Sequence, residues 1–451
     1  MRAKCMAAVP FMIGIFLVSF VYAGPIEPQA EVSDSSSMVA FSPDPYTMVS
    51  QLLKTHKEIQ SYQHRVDSAK NLLRQSVGLY LPSLDLTGDA GREEIRKEAA
   101  ATTREWRHEA KLKGTQLITD FGKTVNTINR DRMALEQSEA SLESLTQQTL
   151  RDGITAYIQV VRARERLKSA RRSEERIKEL TGVEKALVEK GAGLTSDVLQ
   201  AKSQLAGAMA LRVEAEGELK LAKNHFQAVF YHYPSDQEVE SLVEVALPHD
   251  KLPADLDISI SAAMDHNPEI RITRLDLELS RKDIGIAKSA YFPTLNLFGE
   301  TVNANDDNGA VGYRKDFAFG VEFNYNLFSG GGDYAAVKSA MATTIAAATH
   351  LDHARKLVEE QVRNSWEQYF TLKQRKDLLD QQTEILRNFL ELAKKERTMG
   401  TRSLLDVLTG EVNYINAQGT AIAAGEDLKV AAYNLLFSMG QINLGLFASQ
   451  P

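Results

Sequence analysis

Small and apolar residues recur at steps of three and four along two segments of the chain, in one register that appears twice, 209 residues apart. The positions are Val198, Ala201, Leu205, Ala208, Arg212, Ala215, Leu219 and Ala222, and then Val407, Gly410, Tyr414, Ala417, Ala421, Ala424, Leu428 and Ala431. Heptad spacing predicts helices that supercoil around each other, and small side chains let their backbones approach closely. The pattern suits helices laid side by side in a wall rather than around a thick core.

Each of these segments follows a much longer one that contains no proline. The long segments cover residues 122–191 and 332–400. At about 1.5 Å per residue, each would form a helix about 100 Å long, which indicates a coiled coil or a helical barrel.

Two other segments alternate residue by residue between apolar and polar side chains. The apolar positions are Trp106, His108, Ala110, Leu112 and Gly114 in the first, and Phe317, Phe319, Val321, Phe323, Tyr325 and Leu327 in the second. Short strands with one apolar and one polar face are the weak signature of a membrane β-barrel, although half-buried soluble strands look the same. The polar segments 93–103 and 302–315 are typical of surface loops and favour the membrane interpretation.

Two hairpins give four strands, which are too few to close a membrane barrel, and open strand edges are not tolerated in lipid. Two copies of the chain would supply eight strands and three copies twelve. Side chains nearly fill an eight-stranded barrel, so a conducting barrel favours three copies.

The whole chain is duplicated. Tyr-Leu-Pro-Ser-Leu at 80–84 recurs as Tyr-Phe-Pro-Thr-Leu at 291–295, and further landmarks follow in the same order. We expect a first repeat at 24–231, a linker or equatorial segment at 232–256, a second repeat at 257–446 and a tail at 447–451. The expected strands are about 83–93, 104–117, 294–303 and 316–328, and the expected long helices about 122–190, 196–230, 332–398 and 404–440. The predicted fold is mainly α with a small β part, and Pro82, Pro293, Gly122 and Gly332 mark the helix–strand junctions.

The first residues indicate export. Arg2 and Lys4 precede an apolar run that ends in Val-Tyr-Ala at 21–23, which predicts a signal peptide over 1–23, with an uncleaved anchor helix as the alternative. Cys5, the only cysteine, lies inside that segment, so cysteine chemistry is not expected in the mature protein. The net charge of −7 argues against a nucleic-acid partner.

The duplicated motifs resemble those of the TolC family of outer-membrane efflux proteins. The junction motifs and Gly-Thr-Arg-Ser-Leu-Leu-Asp-Val-Leu at 400–408 carry this resemblance, which covers nearly the whole mature chain. It implies a homotrimer with a 12-stranded barrel in the outer-membrane lipid of a diderm bacterium and a 12-helix tunnel across the periplasm. It also implies docking to a periplasmic adaptor protein and an inner-membrane pump of the RND, ABC or MFS type. The chain would then be the exit duct of an efflux pump or a type I secretion system.

The resemblance also assigns residues to a gate at the periplasmic helix tips. It implies that Arg402 ties the second helix pair to Ser196 and Asp197, and that Asp406 lines the pore. Thr409 stands where the best-known members carry a second aspartate. For Asp197 and Asp406, N-capping of the return helices is the structural alternative.

The same tips would dock the adaptor. The residues assigned to docking are Gly191, Leu194, Val198, Leu199, Gly400, Leu404, Val407 and Leu408.

Other chemical signals are weak. His350 and His353 lie three residues apart but lack a third ligand at metal-binding spacing. The sequence shows no nucleophile, acid–base pair or cofactor motif, so we expect no enzymatic activity and no cofactor. A trimeric adhesin and a soluble periplasmic coiled-coil scaffold remain as alternative functions.

Overall fold

The computed structural model describes residues 41–97, 100–191 and 194–447. The predicted signal peptide lies outside these residues, as does the predicted tail after residue 447. The elements of the first repeat are α1 (Pro45–Thr55), α2 (Lys57–Gly78), β1 (Ser83–Lys97), β2 (Ala100–Thr119), α3 (Lys123–Glu189) and α4 (Thr195–Phe230). A short helix follows, α5 (Asp236–Ser241). The second repeat holds α6 (Leu256–His266), α7 (Pro268–Ser289), β3 (Thr294–Asn305), β4 (Tyr313–Asn324), α8 (Gly332–Thr398) and α9 (Leu404–Ser438).

The duplication in the sequence reappears as pairs of helices of equal length. Helices α1 and α6 have 11 residues each, α2 and α7 have 22, and α3 and α8 have 67. A helix of 67 residues is about 100 Å long. None of the helices in the described part of the chain combines the length and apolarity needed to cross a bilayer.

In the second repeat, the glycine that caps the long helix α8 is Gly331, one residue before the predicted junction residue Gly332. Pro82 and Pro293 directly precede β1 and β3. Gly122 is the N-cap of α3 at φ 102°, and the matching N-cap of α8 is Gly331 at φ 83°. Gly332 follows as the first residue of α8, so it lies at the strand–helix junction, although Gly331 supplies the left-handed N-cap. A positive φ favours glycine, and the glycine run 330–332 hides from the sequence which one supplies it.

The four strands form one antiparallel sheet in the order β1-β2-β3-β4. The central pairing joins the two repeats, with His108 of β2 opposite Asn305 of β3. Strands β1 and β4 each pair on one side only within the described residues. The sheet therefore ends in two open edges.

The β1–β2 hairpin is longer than the sequence predicts. Strand pairing continues through Glu93 opposite Glu105 and Ile95 opposite Thr103, so most of the segment 93–103 is strand rather than loop. The ladder runs through charged positions, and the next pair along it, Glu94 opposite Arg104, is complementary in charge. Arg104 Nε lies 3.1 Å from a carboxylate oxygen of Glu94.

Strand β4 is shifted relative to the prediction of 316–328 and spans Tyr313–Asn324. Its last partner is Thr294, the first residue of β3. Pro293 precedes that residue and has no N–H to extend the ladder, so the residues after Asn324 find no strand to pair with. The loop between β3 and β4 is correspondingly short, at 306–312.

The two faces of the sheet differ as the alternation predicts. Trp106, Phe317 and Phe319 are 65%, 79% and 69% exposed on the apolar face. On the opposite face, Lys111 lies 2.8 Å from Glu300 of the neighbouring strand.

The largest core lies around the middle of α3. It collects buried side chains from α1, α4, α9 and the segment 232–256, among them Met48, Leu52, Ile154, Tyr157, Phe226, Phe230 and Tyr433. The hydroxyl of Tyr157 donates to the carbonyl of Pro43 at 2.6 Å and accepts from the amide of Val243 at 3.0 Å. Burial raises the pKa of the Tyr157 phenol.

The segment 232–256 packs against the middle of α3. Arg164 of α3 donates through Nη1 to the carbonyls of Leu242 at 2.8 Å and Val239 at 3.1 Å. The side chains of Val239 and Leu242 are buried in the same core. This segment therefore packs the chain that follows the first repeat against the middle of α3.

Candidate functional site

Two tight turns close the long helix pairs. In the first, Gly191 stands at φ 73° after α3 and its amide donates to the carbonyl of Val188 at 2.9 Å. In the second, Gly400 stands at φ 77° after α8. The amides of Gly400 and Thr401 donate to the carbonyls of Arg397 and Glu396, the pattern of a Schellman motif. Residues 192–193 of the first turn lie outside the described residues.

The two candidate gate aspartates, Asp197 and Asp406, occupy the third position of their helices rather than the N-cap. The N-cap of α9 is Ser403, whose hydroxyl accepts from the amide of Asp406 at 3.1 Å. The N-cap of α4 is Leu194, which makes no side-chain cap. The capping interpretation of Asp197 and Asp406 is therefore wrong, although a carboxylate in the first turn still favours the helix dipole. Asp406 is exposed.

Arg402 is held within its own turn. Its Nε lies 3.3 Å from a carboxylate oxygen of Glu396, and its guanidinium lies 5.0 Å from the ring centre of Phe389. The tie to Ser196 and Asp197 implied by the resemblance is not formed between these described residues. The hydroxyl of Ser196 instead donates to the neighbouring carboxylate of Asp197 at 3.3 Å.

Thr409 links the two helix pairs. Its hydroxyl accepts a long hydrogen bond of 3.5 Å from the amide of Gln204 on α4. Thr409 is itself exposed on the first turns of α9.

The residues assigned to docking fall into two groups. Leu194 and Leu199 are 66% and 63% exposed and are free to meet another protein. Val198, Val407 and Leu408 are at most 9% exposed. Leu408 packs with α3 and α4, and Val407 packs with α8. Leu408 and Val407 therefore pack within the wall of helices, and Val198 is buried as its heptad register predicts. The side chain of Leu404 lies outside the description.

Sequence reasoning misses a carboxylate that joins three helices above the second turn. Glu411 on α9 is 9% exposed. One of its oxygens lies 2.8 Å from Nε of Arg176 on α3 and 3.6 Å from Nζ of Lys394 on α8. The sequence signal that could have identified Glu411 is its position directly after Gly410, one of the small residues in the heptad pattern of α9.

Comparisons with known proteins identify the architecture. The sequence profile of the family described as outer membrane efflux protein matches residues 48–229 and 259–441, one match for each repeat. This chain belongs to that family. It is an outer-membrane efflux protein of the TolC type, and the wall of long helices is its periplasmic tunnel. The family assignment replaces the adhesin and scaffold alternatives.

Individual relatives are distant in sequence but alike in fold. The chain is 22% identical over 339 residues to the outer membrane efflux protein BepC of Brucella suis, covering 74% of this chain and 73% of BepC. It is 23% identical over 351 residues to TolC of Escherichia coli, covering 74% of this chain and 69% of TolC. The solved outer-membrane channel OprN superposes with a TM-score of 0.76 at 21% identity, covering 89% and 90% of the two chains.

Proposed function

We propose that three copies of this chain form a closed duct through which an inner-membrane pump, coupled by a periplasmic adaptor, delivers its substrates to the outside. The pump would be of the RND, ABC or MFS type. The duct would serve either efflux or type I secretion. The observation that carries the proposal is the four-stranded sheet with an apolar outer face and two open edges. Three such sheets joined edge to edge give twelve strands and leave no open edge in lipid.

The helices offer a second joint between copies. Helix α8 carries an exposed apolar stripe at seven-residue steps, Leu378, Ile385 and Leu392, which continues to Met399 at its C-cap; each is between 55% and 69% exposed. Helix α4 carries Leu199 and Val213, 63% and 57% exposed, at twice the same step.

Within one chain the neighbouring long helices follow the order α8, α9, α3, α4, so the two apolar stripes lie at opposite ends of the wall. A head-to-tail contact between α8 of one copy and α4 of the next closes a ring.

The turns at 190–199 and 399–408 would form the periplasmic entrance. Leu194 is available for an adaptor, whereas Leu199 belongs to the apolar stripe on α4 that meets the next copy. Three copies of exposed Asp406 would place a ring of negative charge at this entrance, which attracts cations.

Planar-bilayer recording of the detergent-purified protein tests this function. We expect single-channel currents with a preference for cations, and a smaller preference in Asp406→Asn. A purified protein that inserts into lipid but carries no current would overturn the duct. Unchanged selectivity in Asp406→Asn would instead remove only Asp406 from the pore.

A further inference from the structure

The loop between β3 and β4 (306–312) lies on the polar face of the sheet instead of extending beyond its end. The side chain of Asp307 is only 4% exposed, and Oδ1 lies 2.9 Å from Nε of Arg107 on β2. Oδ2 lies 3.2 Å from Nη2 of Arg314 on β4. Arg107 alternates with exposed Trp106 on β2, which assigns its side chain to the polar face.

The loop also reaches the far strand of the sheet. The amide of Gly309 donates to a carboxylate oxygen of Glu93 on β1 at 3.2 Å. A Cβ built at Gly309 would lie 3.1 Å from the hydroxyl of Thr103 and 3.4 Å from Ile95. The loop therefore crosses β2 and rests against the inner side of the longer β1–β2 hairpin.

The loop is a compact unit with its own closure. The amide of Asp306 donates to the carbonyl of Gly312 at 3.1 Å, and the amide of Gly312 donates back to Oδ1 of Asp306 at 2.8 Å. It can therefore move as one piece about its two ends, provided that its contacts with β1 and β2 are released.

We propose that this loop narrows the outer mouth of the duct and that the Asp307–Arg107 pair sets the size of solute that can leave. The inference rests on the proposed trimeric duct, in which the polar face of the sheet lines the pore. Three loops would then project inward at the same level, at the end of the barrel remote from the helix tips.

We call the Asp307–Arg107 pair the latch. Its contacts allow it to be released. Arg107 also lies 2.8 Å from Asp89 and 3.1 Å from Glu109, so several carboxylates compete for one guanidinium. Nε of Arg107 and Oδ1 of Asp307 are buried and lie 2.9 Å apart, but neither atom makes a hydrogen bond among the described residues. When the loop moves away, Arg107 keeps Asp89 and Glu109 as partners, so release does not leave its charge uncompensated.

Single-channel recording with a size series of polyethylene glycols tests the latch. Asp307→Asn should raise the conductance and admit larger polymers. Asp316→Asn is the matched control, because Asp316 pairs with the same Arg314 at 2.9 Å but is 51% exposed on β4 and does not hold the loop to β2. The control should behave as the wild type.

A disulfide supplies the reverse experiment. The only native cysteine is Cys5, so Thr103→Cys combined with Gly309→Cys introduces an isolated pair across the contact. The oxidised bridge, placed in the Asp307→Asn background, should return the conductance to the wild-type level, and dithiothreitol should reverse this.

These outcomes separate the latch from the duct. If Asp307→Asn conducts as the wild type, or if the bridge fails to form or to lower the conductance of that variant, the loop does not control the mouth. If the wild-type protein itself forms no channel, the proposed duct fails instead.

Discussion

The carboxylate of Glu411 connects α3, α8 and α9 through Arg176 and Lys394. Its second oxygen is buried and has no hydrogen-bond partner among the described residues. A carboxylate in that setting is kept in place by its cationic partners, and its loss would leave two positive charges facing each other. This residue ties the second helix pair to the first just above the turn that carries Arg402.

Glu411→Gln should therefore lower the free energy of unfolding by about 1–3 kcal/mol, below the usual cost of breaking a fully buried pair because Arg176 is 41% exposed. Glu179→Gln is the control, since Glu179 pairs with the same arginine at 2.7 Å but is 57% exposed. Thermal unfolding followed by circular dichroism compares the two variants. Equal midpoints would show that the tie contributes nothing beyond a surface pair.

A second buried acid, Glu426 on α9, predicts a dependence on pH. Burial raises the pKa of Glu426, and Lys429, 2.6 Å away, offsets only part of this effect. Glu244 adds to the increase, and Arg164 opposes it. A raised pKa in the folded state means that stability is greatest below the ordinary glutamate pKa of about 4.3 and declines as the pH rises through the folded value.

Glu426→Gln should remove this decline. We expect the variant to unfold at a higher temperature than the wild type at pH 8, with a difference that shrinks toward pH 4. Calorimetric scans across this range measure the effect. A difference that is constant with pH would show that Glu426 does not titrate in this window.

At the scale of elements, the two 67-residue helices α3 and α8 are each followed by a glycine at positive φ, Gly191 and Gly400. Gly400 occupies the left-handed position of a Schellman motif, with open space around it. Gly182, in the interior of α3, has open space too but ordinary helical geometry. The same substitution should therefore have opposite signs at these two glycines.

Gly400→Ala should destabilise the turn by about 1–2 kcal/mol, because a Cβ is unfavourable at positive φ. Gly182→Ala should stabilise α3 by about 0.5–1 kcal/mol, since alanine loses less entropy in a helix. Chemical unfolding and hydrogen exchange of the turn amides measure both. Faster exchange at the second turn in both variants, or in neither, would contradict this account of the turns.

The elements also show which features the sequence can predict. The long helices follow from proline-free segments between glycines, and their pairing follows from the heptad register. Strand ends were less predictable, because ion pairs such as that of Glu94 with Arg104 carry the ladder through charged positions. The partner of Arg402 depends on side-chain packing over Phe389, which no spacing in the sequence encodes.

At the scale of the whole molecule, a single chain leaves surfaces that further copies can cover. Its sheet has two open edges, and its wall of long helices ends in exposed apolar stripes on α8 and α4. A closed ring of copies would pair the open strand edges and bury the apolar stripes at the same time. The 43% hydrophobic residues of the chain are therefore shared among the core around the middle of α3, smaller clusters along the helices and the exposed apolar face of the sheet.

The number of copies in the membrane-extracted particle tests this account most directly. Native mass spectrometry of protein extracted with detergent from isolated outer membranes should give a particle of three chains. A monomer recovered from the soluble periplasmic fraction without detergent would contradict both the shared barrel and the duct.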